Sequence, residues 1–169
     1  MPIRFRGRLD TRASQLVKDK LKALERPVTR ADAQDIARES LSEMKALIAA
    51  GVSPVKGAGL PARFPRYKNP KRYPGRRKPV TPVNLYLTGA MLADLTARVV
   101  SSAAGFAAEI GYSTSKSKAK ERGHREGANG QPIRPTIPQA SSGETFATSI
   151  QQVYLKYLAS AIDRLARRR

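Results

Sequence analysis

The chain is 169 residues long and carries 32 Lys and Arg against 13 Asp and Glu, a formal net charge of +19. That length fits one domain with long appendages, and a surface this basic repels itself unless nucleic acid, an acidic protein surface or anionic lipid lies nearby. Cysteine is absent, which excludes disulfides, thiol nucleophiles and Cys-ligated metal sites. Trp is also absent and only 4 Phe and 6 Tyr are present, so a core must come mainly from Ala, Leu, Ile and Val.

Residues 1–9 read as a basic extended arm, ahead of a single domain over 10–169. This start has no apolar leader, and no stretch approaches the roughly 18 apolar residues a membrane span needs. From Asp10 or Thr11 a helical pattern begins, with Leu16, Val17, Leu21 and Leu24 at helical spacing, until Pro27 interrupts it. Thr29 and Asp32 form an approximate capping box, and a helix is predicted over 30–50 with the stripe Ile36, Ala37, Leu41, Met44, Leu47 and Ile48. Gly51 stands where a left-handed residue should end it.

Residues 52–84 hold prolines at 54, 61, 65, 70, 74, 79 and 82, so the segment reads as a long extended loop. Asn84 to Tyr86 reads as a short strand, Thr88 as the cap of a short helix to Leu95. Residues 97–103 and 106–112 read as two strands joined at Ala104-Gly105. Residues 113–135 read as a second polar, flexible loop. Ser141 and Glu144 give another capping-box pattern, and a helix is predicted from Thr145 to the end. Its apolar face holds Phe146, Ile150, Val153, Tyr154, Tyr157, Ala161, Ile162 and Leu165, and arginines crowd its C-terminus.

Nothing in this pattern assembles a catalytic centre, and no enzyme activity, metal or cofactor is expected. His124 is the single histidine, and it sits among cations in Arg122-Gly123-His124-Arg125, a poor setting for an organised base. Asp32, Asp35, Glu39 and Glu43 lie along one helix and neutralise nearby Lys and Arg at helical spacing. No Walker loop, dinucleotide fingerprint or zinc ligand set occurs.

The first loop concentrates Arg63, Arg66, Lys68, Lys71, Arg72, Arg76, Arg77 and Lys78 with no acid between them. It reads as a phosphate-contacting arm, as a docking arm with Phe64, Tyr67 and Tyr73 as anchors, or as a solvated loop without a partner. Prolines favour docking, because a pre-extended segment loses less entropy on binding. The second loop offers Lys116, Lys118, Lys120, Arg122, His124 and Arg125.

Two runs of residues carry a resemblance. The first is Val52-Ser53-Pro54-Val55 with Gly57 and Gly59, Tyr67-Lys68, Tyr73-Pro74-Gly75, Val83-Asn84-Leu85, Leu87-Thr88-Gly89 and Met91-Leu92. The second is Ile110-Gly111-Tyr112, then Ala119, His124 and Gly127, then Ile133-Arg134-Pro135 and Ile137-Pro138. In this order, over roughly residues 30–160, they resemble the neck proteins of tailed bacteriophages: tail completion, tail terminator and head–tail connector proteins. The chain departs from that pattern at Thr136, where the family carries an aromatic residue.

The resemblance implies an α+β fold, a small antiparallel sheet packed with long N-terminal and C-terminal helices and trailing extended basic loops. It implies a homo-oligomeric ring of six- or twelve-fold symmetry, in the virion neck, assembled in the host cytoplasm. Portal, adaptor or tail-tube proteins would be neighbours, and packaged DNA would lie in the channel. The alternative expectation is a nucleic-acid-binding basic protein of ribosomal or chromatin-like type. A membrane-active role would draw only on the C-terminal helix.

Overall fold

The computed structural model describes residues 27–66, 90–102, 105–130 and 132–167, together with Gln15 and Asp19. The basic arm at 1–9, most of the helix expected from Asp10, the strand expected at 84–86 and most of the first loop lie outside the described residues.

Helix α1 spans Arg30–Ala49 and is closed at both ends as its sequence dictates. The Thr29 hydroxyl accepts from the Asp32 amide at 3.2 Å, and the Asp32 carboxylate accepts from the Thr29 amide at 3.0 Å. Two otherwise unpaired amide donors are thereby satisfied. Gly51 follows in the left-handed region (φ 71°) that side chains with a Cβ rarely adopt. Ile36, Ala37, Met44 and Ile48 of the expected stripe are buried, with Leu41 and Leu47 packed beside them.

Strand β1 (Val55–Lys56) pairs antiparallel with β4 (Thr145–Phe146). Helix α2 (Ala90–Ala93) leads into β2 (Leu95–Ser102), which pairs antiparallel with β3 (Gly105–Tyr112) from Leu95↔Tyr112 to Ser102↔Gly105. The expected hairpin is present with shifted bounds: the first strand starts two residues earlier than 97, and Gly105, read as part of the turn, opens the second strand opposite Ser102. Its period of two sends Leu95, Val99, Ala108 and Tyr112 toward the core, and leaves Thr96, Arg98 and Glu109 exposed. The expected short helix ends earlier than Leu95, because that residue opens β2 and is almost fully buried.

Helix α1 lies against both strands of the hairpin, and α4 (Thr148–Arg167) packs along α1. The helices run antiparallel. Arg164 donates to Asp32 at 2.6 Å, Tyr157 to Glu39 at 2.5 Å and Lys156 to Glu39 at 3.1 Å. The main core gathers Met44, Ile48, Phe64, Met91, Leu95, Tyr112, Ala147 and Ile150. A second cluster, Val28, Ala33 and Ile36, is covered by Val99, Ala108, Tyr157 and Leu158. The class is α+β, with small antiparallel sheets and a long helix at either end of the described chain.

Three expectations need correction. Residues 113–135 are not an open loop: Ser115–Glu126 form helix α3, followed by a 3-10 turn at Ala128–Gly130. Thr114 caps α3 through its hydroxyl, and Gly127 ends it at φ 66°. Second, helix α4 begins at Thr148, not Thr145, because Thr145 and Phe146 are drawn into pairing with β1. Third, residues 52–66 do not extend away from the body. Val52 bridges Arg63, Val55 is buried and pairs with Phe146 of β4, and Phe64 fills the main core rather than serving as a docking anchor.

Candidate basic interface

The two cation-rich segments meet at one buried side chain, Arg134. Its guanidinium is fully buried and grips backbone. Nε and Nη2 donate to the Pro65 carbonyl at 3.0 and 2.7 Å, and the Arg134 amide donates to the His124 carbonyl at 2.8 Å. A charged donor inside a protein needs such bonds to offset its lost hydration. The effect is to fasten the root of the first basic loop, at Pro65 and Arg66, to the C-terminal half of α3.

Around that point a polar network fixes α3. Arg125 Nη1 donates to both carboxylate oxygens of Glu144, at 2.9 and 2.7 Å, while Nη2 donates to Glu121 at 3.2 Å and to the Ile137 carbonyl. Glu144 also accepts from the Gln139 amide at 2.8 Å. Thr136 is buried, and its hydroxyl lies 2.9 Å from the Tyr112 hydroxyl. Burial pushes the Tyr112 phenol up to about 12, so it stays protonated in this bond. At the other end of α3, Asp94 accepts from the Ser113 hydroxyl and from the amide and hydroxyl of Thr114. Those bonds hold its carboxyl well below the ordinary range.

The expected site residues divide accordingly. Lys116, Lys118, Lys120 and Arg122 are exposed on α3, and Arg63 and Arg66 are exposed in the first segment. His124 and Arg125 are turned inward and belong to the scaffold. Burial, and then the positive fields of Arg134 and Lys120, hold the His124 imidazole below its usual value. Tyr67, Lys68, Lys71, Arg72, Tyr73, Arg76, Arg77 and Lys78 lie outside the described residues. Arg134 carries the junction, yet in the sequence it reads as one more loop cation. The neighbouring prolines, which deny the segment regular pairing, and the Ile133-Arg134-Pro135 and Ile137-Pro138 runs of the resemblance are what mark 132–138 as special.

A second exposed feature lies on α4. Ile150 and Ala161 are buried, with Tyr157 against α1, but Tyr154, Leu155 and Ile162 remain 46%, 56% and 45% exposed. The apolar sector of α4 is wider than the strip α1 covers. Among the described residues, no group of three or more His, Asp or Glu could hold a metal ion, and no helix is long and apolar enough to cross a membrane. No family model, curated protein or solved structure matches the chain.

Proposed function

We propose that the chain is a structural subunit of the tailed-bacteriophage neck. Copies of it form a ring that completes the head–tail connection, helps retain packaged DNA and offers a surface for tail attachment. The observation that carries this reading is the uncovered half of α4. Large apolar side chains are spared at a protein surface when a partner covers them, and a second copy is the occupant a ring supplies. The order of the neck-like segments supports the same reading, since 52–66 and 132–138 are tied side by side through Arg134. Stability shared with neighbouring subunits also suits a core with so few aromatic residues.

The nucleic-acid-binding alternative is favoured by one observation, the exposed cations of α3. Light scattering on the full chain, at low and high salt and with and without short duplex DNA, separates the two. A neck subunit gives a closed oligomer whose mass survives high salt, and Leu155→Glu with Ile162→Glu reduces it to monomer. A salt-sensitive monomer that coats duplex DNA, unaffected by those substitutions, would overturn the ring.

A further inference from the structure

Helix α3 is charged in a way that folding alone does not reward. At 3.6 residues per turn, Lys116 and Lys120 form one row and Lys118 and Arg122 a second, flanking an outer arc that holds Ser115, Ala119, Gly123 and Glu126. Each row sets like charges at i and i+4, an arrangement that destabilises a helix. Lys116 and Lys118 also occupy the N-terminal turn, where the helix dipole already presents positive charge.

One acid shares that arc, the exposed Glu126 four residues after Arg122, and it makes no ion pair with the four cations; the others are held elsewhere. Glu121 and Glu144 are held by Arg125, Glu109 by Arg98 at 2.7 Å, and Asp94 by Ser113 and Thr114. None of the four α3 cations makes an ion pair with another described residue. The exposed surface of α3 therefore carries four cations and one carboxylate, Glu126, on a helix braced through Arg125, with the Pro65 carbonyl tied to the same region by Arg134.

We infer that this double row grips the phosphate backbone of nucleic acid without reading its sequence. Lysine point charges suit phosphate contacts, whereas lysine is depleted and aromatic residues are enriched where proteins bind proteins. The outer side of α3 carries no aromatic or large aliphatic side chain. The small, exposed Ala119 leaves room between the rows for a strand lying across them, while Gly123 is half-buried against Ala128. The inference deepens the DNA-retaining part of the proposed function and rests on the premise that DNA passes this subunit.

The test uses the full chain and a labelled duplex of mixed sequence, titrated by fluorescence anisotropy between about 50 and 200 mM salt. Each phosphate that is no longer neutralised should lower the log–log salt slope by about 0.9. The variant Lys116→Gln, Lys118→Gln, Lys120→Gln, Arg122→Gln should therefore lose about 3–4 from the slope, and its salt-induced loss of affinity should shrink on the order of 100-fold. An unchanged slope overturns the inference, as does binding of poly-glutamate or anionic vesicles as tight as that of the duplex. Lys116→Glu gives a second readout, because it sets a carboxylate four residues before Lys120 and at the positive end of the dipole. It should weaken DNA binding while raising the melting temperature, whereas substitution of a merely structural lysine would lower both together. Light scattering reads the ring separately: weakened binding at unchanged mass is the expected result. Binding that fails only because the oligomer dissociates overturns α3 as the DNA-gripping surface.

Discussion

Replacing Arg125 with methionine tests how the described chain holds α3 in place. The side chains of Arg125, Glu121 and Glu144 are only 11%, 13% and 9% exposed. Arg125→Met keeps most of the volume but strands two carboxylates away from bulk water. Removing one partner of a buried ion pair costs about 3–5 kcal/mol, chiefly through the charge left behind. Against a total stability of about 5–15 kcal/mol for a typical domain, that is a large share. For a chain of this size it lowers the melting temperature by about 6–20 °C. Urea and thermal unfolding, followed by circular dichroism, measure the loss. Glu144→Gln in the Arg125→Met background should recover part of it, since it removes one stranded charge. A loss below about 1 kcal/mol, or single-variant effects that simply add in the double-mutant cycle, would refute the network as the brace of α3.

Two other groups give further outcomes. Thr29→Ala removes the N-cap of α1 and should cost about 1 kcal/mol, with Thr29→Ser near wild type; urea midpoints of the two variants check this, and equal losses would refute the cap. His124, the single histidine, should titrate by NMR below its usual 6.5. The folded state then binds a proton less readily than the unfolded chain. Its contribution is full above pH 6.5 and is lost as pH falls from there through the folded value. His124→Gln should flatten that part of the stability–pH curve, and a midpoint at or above 6.5 would contradict burial as the cause.

Local signals are legible where they have local causes. Thr29, Asp32 and Gly51 mark the two ends of α1 because caps act on the nearest turn. The hairpin is visible because its two strands alternate on either side of a Gly-containing break, although Gly105 itself belongs to β3. Helix α3 escapes a periodicity reading because it has no apolar stripe; it buries Ser117 and a charge network instead. Thr114, the Glu121–Arg125 spacing and Gly127 are the signals that could have found it. The start of α4 is misplaced because Ser141 and Glu144 imitate a capping box, although Glu144 serves Arg125 and the Gln139 amide. The roles of Phe64 and Arg134 depend on partners far along the chain, and no local pattern encodes them.

The pairing of α1 with α4 also sets a timetable for synthesis. Lys56 meets Thr148 across 92 residues, Glu39 meets Tyr157 across 118, and Asp32 meets Arg164 across 132. At the ribosome's pace of roughly 5–20 residues per second, α1 waits on the order of ten seconds for its partner helix to be made. During that interval the side of α1 destined for α4 has no cover, and the β1 strand has no neighbour. Contacts so distant in sequence also slow the final closure. The nascent chain therefore exposes one side of an amphipathic helix until α4 has been made.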